Sequence, residues 1–122
     1  MRYPIFYEYS KVPEFLSKFA PINIYAISFG WWVWCRGPAN TRIKNHERIH
    51  YLQQRELGFV LQWLLYLGFW LVLTIRYRNG ERGYRCNPFE REAYDNDIDP
   101  HYLDERQRFA WVGYIFDNSQ EP

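Results

Sequence analysis

The sequence predicts a single α+β domain over residues 1–122, with a small β-sheet or hairpin, a long helix and a second helix that bears glutamates. Two adjacent segments rich in β-branched and aromatic residues predict the sheet. A charged segment that runs into an uncharged one predicts the long helix, and an acidic segment downstream predicts the second. A chain of 122 residues can form one modest hydrophobic core.

The first third of the chain contains the predicted sheet. VPEFLSKFA predicts a short helix beginning near Pro13. INIYAISF, residues 22–29, alternates in the manner of a strand, and WWVWCR, residues 31–36, predicts a second strand or the return arm of a hairpin. Gly30 lies between the two segments and is expected to form the turn.

The long helix is predicted to begin near Ile43, where Asn40 or Thr41 can cap its first turn. It contains NHERIHYLQQRELG and continues directly into the apolar run at residues 57–75. The following segment, YRNGERGYRCNP at residues 77–88, is rich in turn residues and predicts a loop or a pair of turns.

Two further helices are predicted in the last third. Asn87 as N-cap and Pro88 as first helical residue predict a helix through FEREAYDND, residues 89–97. Residues 102–116 predict a last helix, and a frayed tail is expected after it.

Charge and cysteine content exclude several classes of protein. Fifteen basic and fourteen acidic residues leave a net charge of +1 without a basic stripe, so nucleic-acid binding is not expected. Cys35 and Cys86 are too few and too far apart for a disulfide framework and are expected to be reduced. The N-terminus has no apolar segment typical of a signal peptide, so a cytoplasmic or membrane-associated location is expected.

Residues 46–50, HERIH, match the HExxH pattern. On a helix, His46 and His50 lie on one face, one turn apart, so both imidazoles can bind one metal ion. Glu47 lies about 100° around the helix, where it can act as a general base on a metal-activated water. Gln53 continues the polar face and is expected to support a ligand.

Catalytic zinc usually has three protein ligands and one open position, and two histidines with a glutamate are a common set. The predicted second helix offers Glu90 and Glu92. Because the two glutamates point to nearly opposite sides of a helix, only one of them can face the histidines. The residues alone leave both candidates open.

HERIHYLQQ and NPFEREAY together resemble the gluzincin zinc metallopeptidases, including the small minigluzincins, mainly over residues 45–56 and 87–97. The resemblance implies a minimal zincin-like domain that hydrolyses peptide bonds, with zinc on His46, His50 and Glu90. It places Tyr94 where the family often has Asp or Asn; the phenol could fill that role, Asp95 or Asn96 could substitute, or the register could instead favour Glu92. It also implies that the tail from residue 117 could inhibit the site.

Several other residues are candidates for roles around such a site. His101, Tyr94, Tyr102 and Arg106 could steady an oxyanion. The tryptophans at positions 31, 32 and 34 could line an apolar substrate cleft, and the strand at residues 22–29 could pair with extended substrate.

The run at residues 57–75 contains nineteen uncharged residues, long enough to cross a bilayer. Contact with a membrane surface, or a homodimer formed through this helix, would cover apolar side chains that a small domain leaves exposed. Two alternatives to a peptidase therefore stay open. One is a zincin-like protein that binds a metal or partner without turnover, and the other is a membrane-associated structural protein.

Overall fold

A computed structural model describes residues 4–18 and 25–115 of the chain, and within these ranges the predicted α+β class is confirmed. The strands are β1 (Ile5–Tyr7), β2 (Ala26–Phe29) and β3 (Trp32–Cys35). The α-helices are α1 (Val12–Ser17), α2 (Thr41–Leu57), α3 (Phe59–Tyr77), α4 (Gly80–Cys86), α5 (Pro88–Asn96) and α6 (Tyr102–Glu105), followed by a 3₁₀ helix at Ala110–Tyr114. The predictions for residues 22–24 and 116–122 lie outside the described residues.

The three strands form one sheet in the order β1–β3–β2. β2 and β3 are the predicted antiparallel hairpin, and Gly30 adopts a φ of 61° at its turn, a conformation that glycine adopts at little cost. β1 pairs in parallel with β3, with Ile5 opposite Trp32. The sequence did not predict β1, because its partner strand lies far along the chain.

The predicted long helix is two helices, and Gly58 separates them. Gly58 adopts a φ of 75° and a ψ of 143°, which ends α2 and starts α3. Asn40 is the N-cap of α2, and its side chain accepts a hydrogen bond from the Ile43 amide at 2.9 Å. The HExxH segment and the apolar run therefore belong to separate helices, contrary to the prediction of one continuous helix.

Two other predictions about secondary structure were wrong. Residues 77–88 are not a pair of turns, because α4 forms most of this segment and packs against α3. The helix predicted over residues 102–116 is limited to the single turn of α6 and the 3₁₀ helix. Arg106 leaves helical geometry with a ψ of 128°, and its side chain forms ion pairs with Glu56 and Glu92.

The core lies around α2, which packs against both β2 and α5. Val33, Ile49, Phe89 and Ala93 are completely buried there. The Trp111 ring from the 3₁₀ helix lies 4.5 Å from the Phe89 ring and covers the far side of α5. This packing fixes α5 against α2, which sets the distance between the side chains of the two helices.

We expect Gly83→Ala to destabilise the fold by about 1–3 kcal/mol, because α4 contacts α3 most closely at this residue. A Cβ on Gly83 would lie 2.8 Å from the Thr74 backbone nitrogen, closer than the packed helices allow. Urea unfolding measures the loss. Gly113→Ala is the matched control, since a Cβ there meets nothing within 4 Å, and an equal loss in both variants would contradict this account of the packing.

Candidate metal centre

Helix α2 places His46 and His50 one turn apart on the face directed toward α5. Their ring centroids lie 4.8 Å apart, and their Nε2 atoms are separated by 3.2 Å. Both imidazoles are largely buried, with 12% of the His46 side chain and 8% of the His50 side chain exposed. The predicted i, i+4 arrangement is therefore present.

Helix α5 brings Glu90 to the two histidines. Asn87 caps this helix by accepting a hydrogen bond from the Phe89 amide, and Pro88 begins it. Oε1 of Glu90 lies 3.0 Å from Nε2 of His46 and 3.0 Å from Nε2 of His50. Glu90 rather than Glu92 therefore faces the histidines.

Contacts outside the cluster orient both imidazoles. Asp97 Oδ2 lies 3.0 Å from Nδ1 of His46, and Gln53 Oε1 lies 2.8 Å from Nδ1 of His50. Because both partners are acceptors, Nδ1 of each ring donates a hydrogen bond outside the cluster, and Nε2 is the nitrogen directed to Glu90. This is the arrangement by which a partner of the outer nitrogen prepares a histidine for metal binding.

The donor set fits zinc. The three ligand atoms, Nε2 of each histidine and Oε1 of Glu90, lie 3.0 to 3.2 Å apart. This is close to the separation of about 3.3 Å between ligand atoms around a tetrahedral zinc ion. Burial alone lowers the pKa of His46, but hydrogen bonds with Asp97 and Glu90 outweigh it and raise that pKa to about 10. The surroundings of the cluster therefore favour a positive charge between these ligands.

The hydroxyl of Tyr66, on α3, donates a hydrogen bond to Oε2 of Glu90 at 2.7 Å. The second carboxylate oxygen is thus engaged, and Oε1 remains directed to the histidines. On the other helix, Gln53 donates to the Phe89 carbonyl at 3.0 Å and so ties α2 to the start of α5. These contacts limit the freedom of the cluster to rearrange.

Glu47 lies beside the cluster and borders the open space next to it. Its side chain is 4% exposed and forms no hydrogen bond with any residue in the ranges 4–18 and 25–115. Burial raises the pKa of its carboxyl, while the neighbouring His50 and His46 act to lower it. A carboxylate in this position is available to accept a proton from a group in the open space.

Two adjoining cavities of about 270 and 240 Å³ form a cleft over the cluster. The smaller, polar cavity includes Arg42, Arg85 and Asp97 in its lining, whereas Trp63 and Trp70 line the larger, mostly apolar one. Five residues border both cavities: Ala26, Glu47, His50, Tyr84 and Glu90. The candidate ligands therefore lie at the junction of an apolar and a polar half.

Strand β2 forms one wall of the cleft and is an edge strand of the described sheet. The Arg36 amide donates a hydrogen bond to the Tyr25 carbonyl at 2.7 Å, so these two residues form a hydrogen-bonded pair. Hydrogen-bonded and non-hydrogen-bonded pairs alternate along an antiparallel hairpin, so the next pair, Ala26 with Cys35, is a non-hydrogen-bonded one. The N–H and C=O of Ala26 consequently point away from β3, toward the cleft. The outward carbonyl of Ser28 already accepts a hydrogen bond from the Trp63 indole at 3.1 Å.

The structure does not bring three predicted oxyanion candidates to the cleft. His101 is exposed on the surface. Tyr102 and Arg106 instead bind Glu92, which is completely buried, and Arg106 also pairs with Glu56. Glu92 therefore belongs to a buried ion-pair cluster that holds the C-terminal segment, and it does not face the histidines.

The tryptophans predicted to line the cleft pack elsewhere. Trp31 contacts Phe59, with ring centroids 5.2 Å apart, and Trp34 stacks on Tyr7. Trp63 and Trp70 from the apolar run line the cleft instead. The prediction that positions 31, 32 and 34 line the cleft was therefore wrong, and Trp31 and Trp32 remain 44% and 38% exposed.

Sequence reasoning missed Asp97, Tyr66 and Tyr84. The candidates for the residue that orients a histidine were Tyr94, Asp95 and Asn96, whereas Asp97 occupies that place. Asp97 follows Glu90 by seven residues, two helical turns, so helical spacing could have identified it. Tyr84 borders both cavities, and its hydroxyl lies 3.0 Å from that of Tyr94, whose ring packs on His46.

No family model matches the chain, and neither the curated proteins nor the solved structures gave a match.

Proposed function

We propose that this protein is a zinc-dependent peptidase in which His46, His50 and Glu90 hold the metal and Glu47 acts as general base. One observation supports this most strongly: three convergent ligand atoms and a buried carboxylate without a hydrogen-bond partner among the described residues meet in one open cleft. Titratable groups gathered in an open cleft in this way are typical of functional sites.

When bound, zinc would lower the pKa of a water molecule and polarise the scissile carbonyl. Glu47 accepts a proton from the attacking water and then passes it to the leaving amine. Since burial raises the pKa of Glu47, its protonated form is easier to reach than that of an exposed carboxylate. Asp97 and Gln53 hold the imidazoles in place during these steps.

The cleft has the features needed to position an extended peptide. The outward N–H and C=O of Ala26 can pair with substrate backbone, as an edge strand does in β-augmentation. The Tyr84 hydroxyl borders both cavities beside the ligands and can donate to the oxyanion that forms on the attacked carbonyl. Tyr84 therefore takes the role that sequence analysis considered for Tyr94 and three other residues.

The zinc-reconstituted chain is expected to cleave peptides in a mixed library, as detected by mass spectrometry of the products. Treatment with 1,10-phenanthroline should abolish cleavage, and added zinc should restore it, since the metal activates the water. Cleavage that persists after the metal has been removed and verified absent would contradict the proposal. Full zinc occupancy without cleavage of any peptide would instead favour the non-catalytic metal-binding protein.

A further inference from the structure

Helix α3 exposes a broad apolar face to solvent. Seven large apolar side chains are between 48% and 68% exposed: Val60, Leu61, Leu64, Leu67, Leu71, Val72 and Ile75. At 100° per residue they occupy one arc of about 140° along the helix, which we call the apolar arc. Gln62 is the only residue of α3 that is fully buried.

The apolar arc is too large for an ordinary solvent-exposed surface. Its seven side chains are each 48% to 68% exposed and adjoin one another along the helix, whereas soluble monomers rarely expose large contiguous apolar patches. No charged side chain occurs in α3 before Arg76. A partner surface must therefore cover the arc.

The charges around the arc indicate an anionic partner. Arg76 and Arg78 are exposed at the end of α3, and Arg82 and Arg85 are exposed on α4. Basic side chains at the end of an apolar helix match the phosphates of anionic lipids. A single helix from a second copy would cover only a narrow seam, whereas a bilayer surface covers the whole arc.

The helix is long and apolar enough to cross a bilayer, with nineteen residues and a mean hydropathy of 1.6. However, α4 packs along α3 and exposes Arg82 and Arg85. If α3 crossed the bilayer, these two arginines would lie in the hydrocarbon core, where charged side chains are costly. An orientation parallel to the surface buries the arc and leaves these arginines among the headgroups.

The apolar arc is continuous with the larger cavity. Leu67 belongs to the arc and also lines that cavity. From Leu67 the cavity wall continues through Trp63 and Trp70 to Tyr66, which contacts Glu90. The apolar wall of the larger cavity therefore leads from the apolar arc to Glu90, one of the candidate metal ligands.

We propose that α3 docks the protein on an anionic bilayer surface through the apolar arc, and that the cleft takes peptides anchored in that surface by an apolar segment. The docking part stands on the arc and the arginines alone, whereas the substrate part rests on the proposed peptidase function.

The docking part is tested by co-sedimentation of the full chain with vesicles of phosphatidylcholine and phosphatidylglycerol. We expect binding that falls at least about tenfold in Leu64→Glu/Leu71→Glu, because two leucines that the bilayer would bury become charged. Ile98→Glu is the control, since Ile98 is 71% exposed but lies outside the arc, and it should bind as the unsubstituted chain does.

Absence of vesicle binding would overturn the inference. A dimer in sedimentation velocity that this double substitution dissolves, without vesicle binding, would also overturn it and assign the arc to a second copy.

The substrate part is tested with one peptide sequence in two forms, free and anchored to the vesicles by a C-terminal apolar segment. The zinc-reconstituted chain should cleave the anchored form at least about tenfold faster, and Leu64→Glu/Leu71→Glu should bring the ratio of the two rates close to one. Equal rates on both forms by the unsubstituted chain would overturn the substrate part. Vesicle binding without cleavage of either form would count against the peptidase function and leave the docking surface intact.

Discussion

Glu47→Gln is expected to lower kcat for peptide hydrolysis by about 10²–10⁴-fold, the usual contribution of a general base. Glutamine keeps the shape of the side chain but cannot accept the proton from the attacking water. Since Glu47 forms no hydrogen bond within the described residues, the substitution breaks no contact there that holds the fold or the ligands. Zinc content and the free energy of unfolding should therefore remain close to those of the unsubstituted chain.

Steady-state kinetics on one peptide, with zinc measured in the same sample, separates loss of the base from loss of the metal. Glu105→Gln is the matched control, because Glu105 is exposed on α6 and should retain full activity. An unchanged kcat in Glu47→Gln would remove Glu47 from the mechanism. It would also remove the strongest argument for hydrolysis at this site.

Glu90→Gln is expected to weaken zinc binding by more than about 100-fold, since loss of a direct ligand should cost at least as much as loss of an outer contact. Glu90 is the only carboxylate within 3.0 Å of both Nε2 atoms among the described residues. Competition with a chromophoric chelator measures the change in affinity.

Glu92→Gln provides the contrasting variant on the same helix. Glu92 pairs with Arg106 in a buried ion pair, with Nε and Oε2 2.6 Å apart. Replacing the Glu92 carboxylate with an amide weakens this ion pair and should reduce the free energy of unfolding. The upper limit is about 3–5 kcal/mol, which is the cost of removing one partner of a buried ion pair completely. Each folded chain should nevertheless retain one zinc ion. The opposite pattern, with zinc lost in Glu92→Gln and kept in Glu90→Gln, would make Glu92 the ligand.

Local rules were sufficient to predict much of the candidate site. The i, i+4 spacing of His46 and His50 fixes their common face, and the caps at Asn40 and Asn87 fix where the two helices begin. The choice of Glu90 over Glu92 followed from resemblance to a family pattern, and the geometry agrees with it. The common face and the two caps depend on residues within one or two helical turns of each other, whereas the choice of Glu90 does not.

The remaining features depend on contacts between distant segments. A glycine such as Gly58 is tolerated inside an apolar helix at a cost of about 1 kcal/mol, so no local signal indicated that it would adopt a positive φ. Helix α4 contains glycines at both Gly80 and Gly83, which lowers its helix propensity, and packing against α3 overrides that preference. Tyr66 and Tyr84 reach the site only because α3 and α4 pack there.

The zinc content of the purified chain, measured by elemental analysis beside a His46→Ala/His50→Ala variant, tests the central claim most directly. We expect about one zinc ion per unsubstituted chain and none in the double variant, whose folding is checked by circular dichroism. A chain that holds no zinc after reconstitution, or a folded double variant that retains a full equivalent, would contradict the assignment of His46, His50 and Glu90 as a metal centre.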